Sequence, residues 1–397
     1  SAVAAASSTS ASETSNEAGK GSKVSQPAEN VDAQVAEASL PQPGEAISAS
    51  LTWKSRMELA YATQFAVDTY EDADGMQYEA VSVADGSRFL LIPEGGKVPE
   101  DLPDSIQVLK RPVKQIYLVA TATMDMFRML GALPDIRFSG TDASGWYIPE
   151  AKEAMENGSI LYAGKYSEPD YEMLVDEDCD LAIESTMILH TPKVQEMIES
   201  LDIPVMIDRS SYESHPLGRT EWIKLYAAML NKEDAADAFF EKQVENVDAL
   251  KDFKNTEKTV AFFYVSSDGT VVVRRSDDYI PKMIELSGGR YVFDDLTGDD
   301  SNTSAVKLTM EEFYAQAADA DYLIYNSSID NPINSVKDLE EKDALFSDFK
   351  AVKEGNVWCT GKYLYQATDI VGELITDMNL MLTGGDESKM TFLYHVK

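Results

Sequence analysis

The sequence has few of the side chains that metal and disulfide chemistry need. Its 397 residues include two cysteines, Cys179 and Cys359, and three histidines. So few thiols and imidazoles exclude a disulfide-rich scaffold and a thiolate zinc site, and they count against a bare transition-metal site. Each cysteine ends an apolar segment, where a small buried side chain is the ordinary role, although one disulfide between them remains open.

Positive charge is also scarce, because 34 Lys and Arg residues face 69 Asp and Glu residues and the net charge is -35. The field of so acidic a chain repels phosphate backbones and anionic lipids, so we expect no nucleic-acid partner. Long hydrophobic runs are missing as well. No stretch reaches the ~18 consecutive apolar residues that a membrane-spanning helix requires.

Apolar residues nevertheless make up 44% of the chain, enough for the cores of two or three domains. The exception is residues 1–50, which contain no aromatic residue and are dominated by Ala, Ser, Glu and Gln. Such a segment buries too little apolar surface to offset its ordering entropy, so we predict a disordered tether. We expect it to hang from a membrane through a lipid-carrying cysteine just before Ser1.

Residues 51–219 are predicted to form a β/α lobe with a leading β meander. Alternating, β-rich runs at Phe65–Tyr70, Tyr78–Val83 and Arg88–Ile92 are separated by Asp-Gly pairs, which favour tight turns between antiparallel strands. From Gln115 onward, short apolar strands alternate with helical segments. That alternation is typical of parallel β/α layers.

Residues 220–252 carry apolar side chains at helical spacing, interrupted only at Asn231-Lys232. One helix of this length would span about 45–50 Å, which is long enough to join two lobes. The β/α alternation then restarts over residues 253–397. The predicted fold is therefore α/β, with two β/α lobes joined by one long α-helix.

Several short segments occur in an order that is informative only when they are taken together. Each segment alone is weak evidence. Residues 164–172 read Gly-Lys-Tyr-Ser-Glu-Pro-Asp-Tyr-Glu and are followed by Asp-Leu-Ala-Ile at 180–183. Residues 283–289 read Met-Ile-Glu-Leu-Ser-Gly-Gly. The remaining segments are 110–116 with 122–126, 308–311 before 319–324, and 349–357.

This order resembles the class III substrate-binding proteins of ABC importers, which capture iron-siderophores, haem and cobalamin. The resemblance spans roughly residues 110–382, with Cys179 replacing the usual proline. It implies a clamp-like periplasmic-binding-protein fold in a monomeric, extracytoplasmic lipoprotein on the surface of a bacterium. It also implies an ABC transporter permease as partner. It implies no cofactor of the protein's own, although the ligand can carry iron or cobalt. Siderophore, haem and corrinoid remain open as ligands.

In such a clamp the ligand lies between loops at the carboxyl ends of the strands. Aromatic rings stack on macrocycles or catecholates, and Arg binds carboxylate or oxyanion groups bidentately. In the first lobe the expected ligand-binding residues are Met124, Trp146, Tyr147, Tyr166, Thr186, Tyr212, His215 and Arg219. In the second lobe they are Arg274, Arg275, Tyr279, Tyr325 and Tyr363, with Tyr365 and Gln366 in the same loop.

Some of these residues have two interpretations. His215 or Tyr212 could ligate haem iron with Met124 as a second, softer axial ligand, but a lone loop histidine is more often a hydrogen-bonding partner. Arg274 and Arg275 could equally form a solvated strand end.

The resemblance also implies one transporter-docking glutamate on each lobe. Matching the family's segments assigns these roles to Glu172 and Glu311. The alternative is that each glutamate complements a helix dipole, for ~0.3–1 kcal/mol.

Enzyme signatures are absent from the sequence: no phosphate-binding loop, Gly-x-Ser-x-Gly elbow or zinc-protease helix occurs. We therefore expect no enzyme. With so many acidic residues, a carboxylate pair of the glycosidase type could still be present. A secreted hydrolase of that kind and a non-catalytic surface scaffold are the two alternatives.

Overall fold

The computed structural model describes residues 39–297, 305–328, 330–361, 364–368 and 371–397. Within these ranges the chain forms a sheet near its N-terminus followed by two α/β lobes, each built on its own sheet. The predicted α/β class is confirmed. No helix in the described ranges is both long and apolar enough to cross a membrane.

The N-terminal sheet has the strand order β1-β2-β3-β4-β5. Neighbouring strands are antiparallel except β4 and β5, which are parallel. The predicted meander is confirmed, and a polar edge strand and a parallel fifth strand extend it. The strands are β1 (Thr52–Arg56), β2 (Phe65–Glu71), β3 (Gln77–Val83), β4 (Arg88–Ile92) and β5 (Ile106–Lys110).

The segment just before this sheet belongs to its packing rather than to a tether. Ile47 and Leu51 are buried in one apolar cluster with Tyr70 of β2. The Tyr70 hydroxyl donates a hydrogen bond to the Glu45 carbonyl at 2.7 Å. The prediction of a tether up to residue 50 is therefore wrong for residues 39–50. Residues 1–38 lie outside the described ranges.

The first lobe has a sheet of strand order β10-β9-β6-β7-β8, and every pair in it is parallel. The expectation of parallel β/α layers is confirmed. Its strands are β6 (Ile116–Leu118), β7 (Ile136–Ser139), β8 (Leu161–Tyr162), β9 (Leu181–Glu184) and β10 (Val205–Ile207). Its helices are α1 (Thr123–Met129), α2 (Pro149–Glu156), α3 (Tyr171–Asp176) and α4 (Pro192–Glu199).

The connection between the lobes is not one continuous helix. It consists of α5 (Pro216–Glu221), α6 (Ile223–Leu230) and α7 (Glu233–Asp248). Asn231 adopts a left-handed conformation with φ 56° and ends α6, which corrects the predicted helix over 220–252. Asparagine tolerates this conformation better than most residues. α6 packs in the first-lobe core, whereas Phe240 of α7 packs in the second-lobe core.

The second lobe has a mixed sheet of order β14-β12-β11-β15-β16-β17, with β13 also pairing β11. β13, β15 and β16 run parallel to their partners, but β12, β14 and β17 are antiparallel. The strands are β11 (Thr259–Val265), β12 (Val271–Arg274), β13 (Arg290–Tyr291), β14 (Ala305–Leu308), β15 (Tyr322–Tyr325), β16 (Val357–Thr360) and β17 (Leu393–His395). The helices are α8 (Tyr279–Leu286), α9 (Met310–Ala317), α10 (Val336–Lys342), α11 (Lys350–Glu354) and α12 (Val371–Thr383).

Two buried glutamates tie the N-terminal sheet to the connection between the lobes. Glu221 of α5 accepts hydrogen bonds from the backbone N–H groups of residues 60, 61 and 62, each at 2.8 Å. Glu213 accepts from the backbone of residues 63 and 64 at 2.9 to 3.0 Å. The loop between β1 and β2 thus places its N–H groups on two carboxylates that water does not reach.

We predict that Glu221→Ala destabilises the chain strongly. It removes the acceptor of three backbone N–H groups, and each lost hydrogen bond to a carboxylate costs about 1.5–3 kcal/mol. The free energy of unfolding, measured with urea, should fall by about 3 kcal/mol or more. Glu241→Ala, on an exposed position of α7, is the control and should change it by less than ~0.5 kcal/mol. Equal losses in the two variants would contradict this account.

Candidate functional site

Loops from both lobes meet where the parallel strands end. The Gln366 side chain donates to the Gly145 carbonyl at 2.9 Å and accepts from the Tyr147 backbone N–H at 3.0 Å. The Thr368 hydroxyl donates to the Ala122 carbonyl at 3.1 Å. The loop after β16 therefore bridges to the loops before α1 and α2. Thr368 was not among the predicted residues.

Two arginines approach one tyrosine at the contact between α5 and α8. The Arg219 guanidinium lies 3.9 Å from the centre of the Tyr279 ring, and the Arg274 guanidinium lies 5.7 Å from it. Such cation–π contacts strengthen when water is excluded. Burial raises the pKa of Tyr279, and the two arginines oppose that rise. The phenol is therefore neutral, and the Arg219 guanidinium already lies over its ring.

The predicted arginine pair is held by two neighbouring aspartates. Arg274 is buried and binds Asp278 through Nε at 3.0 Å and Nη2 at 2.8 Å. Arg275 is more exposed and binds Asp277 through the same two atoms, both at 3.0 Å. Arg274 is thus a structural partner of a buried carboxylate, whereas Arg275 can exchange its surface aspartate for another anion.

The buried Tyr365 adds a hydroxyl to this cluster. It accepts a hydrogen bond from the Asn326 side-chain amide at 2.9 Å. Burial raises the pKa of Tyr365, while nearby Arg274 lowers it.

His215 caps a helix and does not stand free. Its Nδ1 accepts a hydrogen bond from the Leu217 backbone N–H at 3.1 Å, and its ring stacks on Tyr61 at 4.5 Å between centroids. Burial lowers the pKa of His215, and Lys282 lowers it further, while Glu285 opposes the change. The neutral imidazole is required, because a protonated Nδ1 cannot accept. Metal ligation by His215 would have to use Nε2.

A recess of about 580 Å³ lies between His215 and α8. Its charges are largely paired with each other: Lys282 with Glu285 at 3.0 Å, and Arg290 with Asp294 at 3.1 Å. This mixed-charge surface suits a polar ligand group rather than a bare ion.

Four expected ligand residues are buried in cores. Met124 and Tyr325 have 0% exposure, Trp146 has 3% and Tyr279 has 5%. The Trp146 indole donates to Ser139 Oγ at 3.1 Å and the Thr141 carbonyl at 3.2 Å. The Tyr325 hydroxyl donates to Asp330 at 2.6 Å. This placement revises the expectation that they line the cleft, because in this conformation they offer no surface to a ligand.

The other expected residues have more varied positions. Tyr147 is 37% exposed beside the Gln366 bridge, whereas Thr186 is 6% exposed. Tyr166 is half-buried against the first-lobe core. The Tyr212 ring lies under the Arg209 guanidinium at 4.0 Å. Tyr363 lies outside the described residues.

Both proposed docking glutamates are exposed in the first turn of a helix. Glu172 is the second residue of α3, and Glu311 is the second residue of α9. In the described part of the chain, neither carboxylate forms an ion pair. Each is therefore accessible to a partner, and each also complements a helix dipole.

A buried carboxyl group at the end of β9 is not among the predicted site residues. Glu184 has 0% exposure, and neither of its side-chain oxygens has a hydrogen-bond partner among the described residues. Burial raises the pKa of Glu184 well above its ordinary value. A charged residue type directly after the apolar run of β9, and before Ser185, was the available signal.

Cys179 and Cys359 are separate buried thiols, so the disulfide that the sequence left open is not formed. Burial raises the pKa of Cys179 to about 12, which keeps its thiol protonated and unreactive. Across the described ranges, no cluster of three or more His, Cys, Asp or Glu side chains could hold a metal ion.

A family model described as periplasmic binding protein matches residues 118–364. That span includes strands of both lobes and more than half of the chain. The chain belongs to the periplasmic binding protein family. The match begins after the N-terminal sheet. This is a family of substrate-binding proteins.

The chain is also similar to individual proteins and solved structures. An uncharacterized lipoprotein of Methanocaldococcus jannaschii is 27% identical over 362 residues, covering 86% of this chain and 82% of the relative. A solved structure of a possible iron-binding, periplasmic solute-binding protein from Staphylococcus epidermidis has a TM-score of 0.53 at 16% identity, covering 68% of this chain and 98% of that one. A periplasmic haem-binding protein of Vibrio cholerae has a TM-score of 0.52 at 17% identity, covering 66% and 98%. The two structures support the two-lobe fold.

We predict that the stability of this binding protein depends on the protonation of His215. The unfolded imidazole has a pKa of ~6.5, and the folded pKa is lower. The unfolded state therefore binds the proton more readily, and this contribution to stability is lost as the pH falls from about 6.5 through the lower folded pKa. His215→Asn keeps a capping side chain and removes the titration. The stability of the wild type relative to this variant should decrease between about pH 7.5 and pH 5.5 in urea unfolding.

The matched control is His190→Asn, which replaces an exposed histidine. Its stability relative to the wild type should not follow the trend of His215→Asn. The difference in the free energy of unfolding between wild type and His215→Asn could instead stay constant with pH. That result would show that the cap does not depend on the neutral ring.

Proposed function

We propose that this periplasmic binding protein captures a metal-chelate ligand between its two lobes and delivers it to an ABC importer. The ligand is an iron-siderophore, haem or a corrinoid. The observation that carries the proposal is the family match over residues 118–364, which includes strands of both lobes. It favours a binding protein over the hydrolase and scaffold alternatives.

The ligand class has further support from proteins of similar fold. They include the haem-binding protein of Vibrio cholerae and a catecholate-siderophore binding protein of the same organism, with a TM-score of 0.53. A ferric-hydroxamate transport protein of Saccharomonospora viridis has a TM-score of 0.52. These ligands share a large chelate with polar or anionic groups, so they support the class without choosing a member.

We assign the ligand surface to the exposed and half-buried members of the predicted set. Tyr147 and Tyr166 supply rings from the first lobe, and Arg219 and Arg275 supply positive charge near the lobe contact. Rings and guanidinium groups suit a flat ligand with anionic edges. His215 is retained as a hydrogen-bonding partner or, for haem, as an iron ligand through Nε2.

Ligand capture is tested by titrating the purified chain with haemin, ferric enterobactin, ferrichrome and cyanocobalamin. We expect saturable binding of at least one of them, with one ligand per chain and no chemical change in the recovered ligand. Absorbance spectra and mass spectrometry measure both properties. Failure of all four classes to bind, or the release of a hydrolysis product, would contradict the proposal.

We predict that Arg275→Ala weakens binding of the captured ligand at least tenfold, because a charge-assisted contact contributes ~1.5–3 kcal/mol. Arg274 is unsuitable for this test, since its loss would leave Asp278 buried and unpaired. Arg137→Ala is the matched control. Arg137 is similarly exposed, at 25% against 22%, and it also binds a surface carboxylate through Nε and Nη2. Equal affinities in both variants would remove Arg275 from the site.

For delivery, we propose that Glu172 and Glu311 dock on positively charged groups of the transporter. Glu172→Arg and Glu311→Arg should leave ligand affinity and folding unchanged while reducing uptake in cells that carry the matching importer. Glu241→Arg, on an exposed position of α7, controls for a surface charge reversal. Normal uptake by the double variant would refute the docking role.

We also propose an extracytoplasmic location with a lipid anchor. The Methanocaldococcus jannaschii relative, which is named a lipoprotein, supports this location. Membrane fractionation of cells that express the full gene, with metabolic labelling by a palmitate analogue, would detect the anchor.

A further inference from the structure

The N-terminal sheet lies outside the residues that the family model matches, and it carries an unusual pair of polar side chains. Ser82 of β3 and Arg88 of β4 are direct cross-strand partners. Cross-strand partners point to the same face of a sheet. Ala80 and Leu90 continue this face as members of an apolar cluster. Ser82 and Arg88 thus stand where the alternation would place apolar side chains.

Both side chains hold buried donors that are unused. Ser82 has 0% exposure, and its hydroxyl has no hydrogen-bond partner among the described residues. Arg88 Nη1 donates to Glu45 at 2.6 Å. Its Nε and Nη2 are buried and, within the same ranges, have no partner. Buried donors without acceptors cost free energy, so a pair of this kind calls for an explanation.

The unused edge of Arg88 is the edge that binds carboxylates elsewhere in this molecule. Nε–H and Nη2–H point in the same direction and match the two oxygens of a carboxylate. Five other arginines use this same edge on an Asp or Glu: Arg56, Arg128, Arg137, Arg274 and Arg275. Arg88 has the same fork without an acid on it.

These donors face a cavity large enough for a small organic molecule. The recess has a volume of about 340 Å³ and lies between the sheet and the segment of residues 39–45. It is lined by Ser39, Leu40, Pro41, Gln42, Glu45, Ser82, Val83, Gly86 and Arg88. Leu40 and Pro41 add apolar side chains to this lining. A ligand with a carboxylate and a short apolar body would match it.

We propose that this recess binds a small free carboxylate. Its two oxygens accept from Arg88 Nε–H and Nη2–H, and one of them also accepts from the Ser82 hydroxyl. Glu45 remains on Nη1 and fixes the guanidinium plane. The site is separate from the surface between the lobes and does not depend on the proposed transport function.

The test uses the full chain and titrates it with acetate, butyrate, succinate and citrate at constant ionic strength. Inorganic phosphate and chloride are tested in parallel. We expect saturable binding of at least one carboxylate in calorimetry, with one molecule per chain and at least tenfold weaker binding of phosphate and chloride. Arg88→Lys keeps the charge and a partner for Glu45 but loses the fork, so it should weaken carboxylate binding at least tenfold. Arg137→Lys, whose fork is already on Glu177, should bind like the wild type.

Ser82→Ala provides a second readout that does not depend on the arginine. Removing an unpaired buried hydroxyl should raise the melting temperature without ligand, and it should weaken carboxylate binding at least threefold. The absence of saturable carboxylate binding would overturn the proposal, as would undiminished binding in Arg88→Lys. Equal binding of carboxylate, phosphate and chloride would show an adventitious ion only. If Ser82→Ala changes neither the melting temperature nor carboxylate binding, the hydroxyl is not part of the site and the assignment is overturned.

Discussion

The arrangement of the whole molecule depends on two buried carboxylates, Glu213 and Glu221, which bind the backbone of residues 60–64. A carboxylate stays ionised away from water only when several donors replace its hydration, and consecutive N–H groups of a loop supply them. From that loop, Tyr61 stacks on His215 and meets Phe240 of α7 edge-on. One loop thereby contacts the N-terminal sheet, the connecting helices and the second-lobe core.

This anchoring determines where the clamp has freedom. The N-terminal sheet and the first lobe share one core, in which Phe65 of β2 packs edge-on against Trp222 at 5.1 Å. They should therefore behave as one body. Polar links between the lobes include the Gln366 bridge, the Thr368 hydrogen bond and the stacking of Arg219 on Tyr279. Apolar contacts also join them, because Tyr61 and Leu217 pack in the second-lobe core. The polar links break at lower cost than these apolar contacts, so we expect opening to begin there.

The order of elements was predictable from the sequence because buried strands and amphipathic helices have distinct periods. Other features depended on tertiary structure. Residues 39–51 look like tether in composition, yet Ile47 and Leu51 are buried because the sheet offers them an apolar face. The polar strand β1 gave no alternation to read. The break at Asn231 required a left-handed residue that helical spacing cannot reveal.

The candidate site was likewise predictable only in part from the sequence. The electrostatics of its side chains depended on the tertiary structure. Position in a loop selected Gln366, which bridges the lobes, but it also selected Met124 and Tyr325, which are buried in the cores. The rule of carboxyl strand ends did not apply to Arg274, since β12 is antiparallel to β11.

A chain of net charge -35 should repel an anionic ligand. Three features reduce this repulsion: Arg274 neutralises Asp278, burial raises the pKa of Glu184, and Arg219 has no ion-pair partner in the described ranges. The local field can therefore attract a ligand that the overall charge repels.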